Sequence, residues 1–228
     1  MKDNFIHVCF IIDRSGSMYG SESDVIGGFK KVIDEQKANK DGTCSVSLYE
    51  FDDTVKEVYR GKDVNEIEDI DYSLGGCTAL YDGIGTAIDT IGKWLNDMDE
   101  SERPEKNLIV IMTDGGENAS KEYSGSVVKE KIKHQEEKYN WSFIYMGSDL
   151  SDATDANVLG ISTRYYSDKA NLSNNYSLIG EAINTYRCTV GDADEKNYLM
   201  VSKLNAESII ATTDYANKNN INAKDLLA

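Results

Sequence analysis

The chain alternates between short apolar runs and longer stretches whose apolar residues recur with helical spacing. Residues 5–12 (FIHVCFII) form a near-continuous apolar run, as expected of a strand covered on both faces. The period then changes. Over 22–38, Val25, Ile26, Phe29, Val32 and Ile33 fall on one stripe of a helix. After an NKDG turn at 39–42, two β-rich segments, 44–51 and 54–59, are separated by Asp52 and Asp53 alone. That gap is too short for a crossover, so the pair is predicted as an antiparallel hairpin.

An acidic connector leads into GGCTALYDGIGTAIDTIGKWL (75–95), where Leu80, Ile84, Ala87, Ile88, Ile91 and Leu95 share one helical face. A loop ending near Thr78 therefore feeds a long helix. NLIVIMTDGG (107–116) repeats the opening theme, an apolar strand that ends on a carboxylate, here Asp114. The spacing then predicts a polar helix over 121–139, a strand over 141–147, an Asp-rich loop and a short helix near 152–158. A strand over 161–166 and an amphipathic helix over 172–187 follow. This alternation predicts a doubly wound α/β fold: a mostly parallel central sheet with one antiparallel edge strand and helices on both faces. Residues 191–228, with a strand-like run at 198–204 and helical spacing near 206–217, read as a C-terminal extension of a 1–190 domain.

The 228 residues, 40% of them hydrophobic, suit one large domain with a real core. The formal net charge is −16, from 40 acidic against 24 basic residues. Such a chain repels nucleic acid and anionic membrane surfaces and attracts cations and basic partners. No run is long and apolar enough for membrane insertion. The first apolar run is short, is broken by His7 and lacks a small-residue cleavage site, so no signal peptide is expected. Cys9, Cys44, Cys77 and Cys188 have no paired spacing, which fits reduced thiols and a cytoplasmic location.

The chemistry of the chain concentrates in its loops. In DRSGS (13–17) a strand hands over to a carboxylate and two hydroxyls. Asp13, Ser15, Ser17, Thr78 and Asp114 are all oxygen donors placed in loops on one edge of the predicted sheet. Carboxyl ends of strands are where open α/β sheets form their sites. Hard cations such as Mg²⁺ take oxygen ligands in near-octahedral geometry, and two carboxylates balance the charge while hydroxyls add no repulsion.

These residues resemble the von Willebrand factor type A (VWA) domain family. DRSGS matches its Asp-x-Ser-x-Ser signature, and Thr78 in GGCTALYDGIG and Asp114 in VIMTDGGEN match its later threonine and aspartate in order. The resemblance covers roughly residues 5–187 and is to stand-alone intracellular members from bacteria and phages. It implies a metal-ion-dependent adhesion site. There Ser15, Ser17 and Thr78 would supply hydroxyl ligands to Mg²⁺ (or Mn²⁺ or Ca²⁺), and Asp13 and Asp114 would bind directly or through water. One position would be left for an Asp or Glu of a partner protein. Cys77 departs from the residue expected in that loop.

Other readings stay open on sequence alone. One is a Mg²⁺-dependent phosphoryl-transfer or hydrolase enzyme on the same architecture, although Ser15 stands where such a phosphatase places its second Asp. Another is a structural or virion protein with an unused site. Asp52 and Asp53 read as a solvated hairpin turn. Asp82 reads either as a partner of the helix dipole or as a support of the metal loop. Glu117 and Asn118 are placed at the rim, and Asp149, Asp152 and Asp155 in a polar connector. His7 and Cys9 read as buried structural residues, and His134 as a solvated helix position.

Overall fold

The computed structural model describes residues 1–147, 150–161, 163–166 and 172–188. Among these residues the sheet has six strands: β1 (Lys2–Asp13), β2 (Thr43–Phe51), β3 (Val55–Asp63), β4 (Pro104–Met112), β5 (Ser142–Gly147) and β6 (Thr163–Tyr166). Their spatial order is β3-β2-β1-β4-β5-β6, with every pairing parallel except the β2–β3 hairpin at one edge. The predicted fold class is the observed one. Among the described residues five α-helices connect and cover the sheet: α1 (Glu22–Ala38), α2 (Leu80–Asp97), α3 (Gly125–Tyr139), α4 (Leu150–Leu159) and α5 (Leu172–Cys188).

Strand alternation sorts the apolar residues into two layers. Ile6, Val8, Phe10 and Ile12 of β1 join Val25, Phe29, Val32 and Ile33 of α1 and Tyr176, Ile179 and Ile183 of α5. Cys9 and Ile11 face the other way, onto Leu80, Ile84, Ile88 and Ile91 of α2 and Val128 and Ile132 of α3. A strand buried on both sides has no polar face to show, hence the near-continuous apolar run. α1 and α5 approach closely because Gly28 lacks a side chain: a Cβ there would lie 2.2 Å from the Tyr176 ring.

The register levels the carboxyl ends of the central strands. Asp13 pairs with Phe51, Ile12 with Met112 and Met112 with Met146. After β1 the chain moves outward to β2 and β3, then crosses back to β4 on the other side of β1. The reversal opens a crevice between the ends of β1 and β4. Asp13 ends one of these strands and Asp114 follows the other.

Among the boundaries that differ from the sequence reading, β3 runs on to Asp63, and α3 begins at Gly125 rather than at 121. The second difference has a cause: the Asp82 carboxylate accepts the backbone N–H groups of Lys121, Glu122 and Tyr123 at 2.8, 2.9 and 2.8 Å. Those amides are held out of the helix, and Ser124, whose hydroxyl accepts from Val127 N–H, becomes the N-cap. The segment 191–228 read as an extension lies outside the described residues, as do Asp149 and the Asp152 side chain.

Candidate metal centre

The turn after β1 is shaped by Asp13. Its carboxylate is fully buried and accepts the Ser15 backbone N–H at 2.7 Å and the Thr113 hydroxyl at 2.6 Å. The first bond closes an Asx-type turn that starts the loop immediately. The Asp13 carbonyl in turn accepts the Tyr72 hydroxyl. Within the turn the Ser15 and Ser17 hydroxyl oxygens are 2.8 Å apart. Ser15 is buried beneath the loop, whereas Ser17 is exposed.

Thr78 arrives on a connector strapped across this loop. Gly75 N–H donates to Arg14 carbonyl at 2.9 Å, Gly16 N–H to Gly76 carbonyl at 3.2 Å, and Ala79 N–H to Asp52 carbonyl at 2.7 Å. Gly76 has φ +60°, and a Cβ there would meet Asp53 Oδ1 at 1.9 Å, so only glycine fits the crossing. Asn118 then holds the Thr78 backbone from both sides. Its Oδ1 accepts Thr78 N–H at 3.0 Å, and its own N–H donates to Thr78 carbonyl at 3.0 Å.

The five residues read from the sequence stand on this one edge of the sheet. A Cβ built on Gly115 would lie 2.8 Å from Ser17 Oγ and 3.3 Å from Thr78 Oγ1. Two hydroxyls from distant segments thus close on the backbone beside Asp114, and glycine leaves the space between them open. Asp114 itself is buried. Burial pushes the Asp13 carboxyl up to about 6; the bonds from Thr113 and Ser15 oppose this, and the Asp114 charge adds to it. Asp13 and Asp114 are therefore close enough to repel, an arrangement that a cation between them would relieve.

The donor set is hard and sparse. Among the described residues no three His, Cys, Asp or Glu side chains gather closely enough to hold a metal by themselves. A cation here relies on two carboxylates and the hydroxyls, which suits Mg²⁺, Mn²⁺ or Ca²⁺ better than a thiolate- or imidazole-seeking ion. The open space beside Gly115 and the mutual repulsion of the two acids fit such an ion. Cys77 is exposed between Gly76 and Thr78.

Several polar residues support this edge in ways the sequence did not reveal. Asp52 is not a solvated turn residue: it is buried, 3.0 Å from the Arg14 guanidinium, and accepts the Thr54 N–H and hydroxyl at 2.8 and 2.7 Å. Among its described contacts Asp82 bonds the loop before α3 and not the loop after β1. Glu117 accepts the Tyr81 N–H at 3.0 Å, covering a free amide at the start of α2. Asp155 is also no connector residue. It sits buried on α4 and accepts Glu117 N–H and the Tyr81 hydroxyl, each at 2.8 Å. Thr113 and Tyr72 are the residues sequence reasoning missed altogether. The only signal for Thr113 was its place beside Asp114 at the end of an apolar strand.

Comparison with known proteins gives the family. The von Willebrand factor type A domain model matches residues 7–224, and the chain belongs to that family. No curated protein sequence matches the chain. Among solved structures, the vWF domain of the type V pili tip protein Mfa5 from Porphyromonas gingivalis is similar, with a TM-score of 0.58, 12% identity, and 83% of this chain and 98% of that one covered. Proximal thread matrix protein 1 from the mussel byssus gives 0.56 at 15% identity, over 81% of this chain and 48% of that one. The same mussel protein with a zinc occupied MIDAS motif gives 0.53 at 17% identity, over 78% and 46% of the two chains. The chain thus spans less than half of the mussel protein's length. At these identities the likeness is one of fold.

Proposed function

We propose that the chain, a member of the VWA family, is a metal-dependent protein-binding module and not an enzyme. Asp13, Ser15, Ser17, Thr78 and Asp114 would hold one Mg²⁺ (or Mn²⁺ or Ca²⁺), and the ion would supply an electrophilic contact for an Asp or Glu of a partner protein. The observation that carries this reading is the closure of Ser17 and Thr78 hydroxyls on the open space at Gly115, beside Asp114. The zinc-occupied MIDAS motif of the mussel relative supports it.

The chain's own residues set the terms of recognition. Two carboxylates cancel the charge of a divalent ion, and the chain carries −16 overall, so an approaching acidic group meets repulsion. That repulsion is screened beyond about 10 Å at ordinary salt, whereas contact with the ion is direct. Hydroxyls at Ser15, Ser17 and Thr78 leave the ion more electrophilic than carboxylates would. The partner acid is therefore expected to be flanked by Lys or Arg that answer exposed Asp53 and Asp71 on the same edge.

The non-enzymatic reading is supported by what surrounds the site. Both Asp13 oxygens are engaged, by Ser15 and Thr113. His7 lies in the interior of β1, bonded to Asn107 and Ser47, and His134 lies on α3. Neither histidine is placed to serve as a base there. Free thiols at Cys9, Cys44 and Cys77 support a reducing, cytoplasmic setting, as in stand-alone bacterial or phage members. The module is proposed to span 1–190, with 191–228 as an extension.

A pull-down from the native host in Mg²⁺ and in EDTA tests the reading. Partners retained only with metal, and lost with Thr78→Ala, are expected. Capture indifferent to EDTA, or partner acids that can each become amides without loss, would show the metal-bridged mechanism to be wrong.

A further inference from the structure

A second polar centre lies at the opposite end of the sheet. His7 and Asp13 share β1 and are six residues apart, so the two centres are separated by about 20 Å. His7 is fully buried. Its Nε2 is 2.8 Å from Ser47 Oγ and its Nδ1 is 3.1 Å from Asn107 Oδ1.

The direction of these bonds is fixed by a third. Gly61 N–H donates to Ser47 Oγ at 2.9 Å, and the Ser47 hydroxyl still has its own hydrogen to place. His7 Nε2 is the acceptor in reach, so Nδ1 carries the ring proton and donates it to the Asn107 amide oxygen. The reverse assignment would strand the Ser47 hydrogen in the core without an acceptor. Burial holds the imidazole neutral, its pKa lowered to about 4, so no second ring proton competes.

The consequence falls on Asn107. With Oδ1 committed to His7, its two Nδ2 hydrogens turn away, and among the described residues no protein acceptor takes them. Asn107 is only 6% exposed, and it lines a cavity of about 530 Å³. That cavity lies between the last turns of α2 and α3 and the start of β4, on the opposite side of the sheet from α1 and α5. Its size is that of a small-molecule site. Trp141, Ile88 and Leu95 give it apolar surface, and Lys93, Lys138, Asp89 and Glu105 give it nearly balanced charge. Arg103, also on the wall, is already bonded to the carbonyls of Asn96 and Met98, at 3.0 Å each through its Nη2.

We propose that this cavity binds a small aromatic molecule bearing a hydrogen-bond acceptor, a carboxylate or a carbonyl, with the acceptor on Asn107 Nδ2 and the ring against Trp141. The side chain is otherwise buried and its Nδ2 is reachable only from the cavity wall, so a ligand that supplies an acceptor there is favoured. The balanced wall disfavours a highly charged ligand such as a nucleotide. The site is separate from the metal centre and does not depend on it.

Titration of the ¹⁵N-labelled full chain with benzoate, benzamide and benzylammonium tests the assignment. Benzoate and benzamide should shift the Asn107 side-chain NH₂ and the Trp141 indole N–H resonances, and benzylammonium, which has no acceptor, should not. Asn107→Asp keeps an acceptor for His7 but replaces the cavity-facing donors, and should weaken benzoate by about tenfold or more. Gly92→Met is the independent variant. A Cβ there meets nothing closer than Gln135 Nε2 at 3.8 Å, so the helix tolerates it while the longer side chain fills the cavity and excludes both probes. No response to either acceptor probe, an equal response to benzylammonium, or undiminished benzoate binding in either variant would overturn the proposal.

Discussion

The Thr113 hydroxyl donates to the Asp13 carboxylate across 2.6 Å, joining the ends of β1 and β4 at the crevice between them. Thr113 immediately precedes Asp114, so one residue aims the first carboxylate of the proposed site while its neighbour would supply the second. Thr113→Val keeps the shape and removes the donor. Asp13 then loses a charge-assisted bond inside the protein, and Mg²⁺ affinity measured by calorimetry should fall about 10- to 100-fold. Unchanged affinity would show that Asp13 needs no such aiming.

Gly115 gives a second test of the same edge. An alanine methyl would crowd Ser17 Oγ at 2.8 Å and Thr78 Oγ1 at 3.3 Å. Gly115→Ala should weaken Mg²⁺ binding roughly tenfold or more while thermal stability changes little, because the atom crowded most is the hydroxyl of exposed Ser17, which can turn aside without disturbing the core. Equal affinity in wild type and variant would mean that the two hydroxyls do not close on the ion.

Asp82 carries structure, and its removal should read out in the backbone. Three N–H groups at 121–123 bond its two oxygens. Asp82→Ala should cost about 2–4 kcal/mol in chemical denaturation, since a carboxylate with three amide donors is lost from a buried position. Hydrogen exchange at Lys121, Glu122 and Tyr123 should accelerate. Protection of these three amides at the wild-type level would contradict the assigned role.

The order of strands and helices was legible because it depends on local periodicity. The antiparallel edge was legible because two residues, Asp52 and Asp53, cannot make a crossover. Four of the site positions follow from strands that end on oxygens, and Thr78 from the start of an amphipathic helix. What escaped the sequence is what depends on distant partners. α3 starts late because Asp82, some 40 positions earlier, captures its amides. Asp52 looked solvated because Arg14, its partner, belongs to another strand end. Asn118 and Thr113 orient Thr78 and Asp13 across gaps of 40 and 100 residues, and no local pattern marks such bonds.

His7 makes stability depend on pH. Its folded pKa is lowered from 6.5 to about 4, so the unfolded chain binds a proton between those values that the folded chain refuses. The contribution is whole above pH 6.5 and is lost as pH falls toward 4, about 3 kcal/mol in all. Asp13, pushed the other way, opposes the trend in metal-free protein. The comparison is therefore with His7→Gln under identical conditions, where denaturation midpoints should fall less steeply between pH 6.5 and 4. Parallel curves for the two proteins would show that His7 titrates normally.

The most direct measurement of the central claim is Mn²⁺ binding followed by electron paramagnetic resonance, in wild type and Asp114→Ala. In the proposed site Asp114 would provide half of the compensating charge, and its loss would leave a single carboxylate to face a divalent ion. One Mn²⁺ per chain, displaced by excess Mg²⁺ and absent from the variant, is the predicted result. Free Mn²⁺ signal at full intensity in wild type, or the same bound signal in Asp114→Ala, would contradict the account.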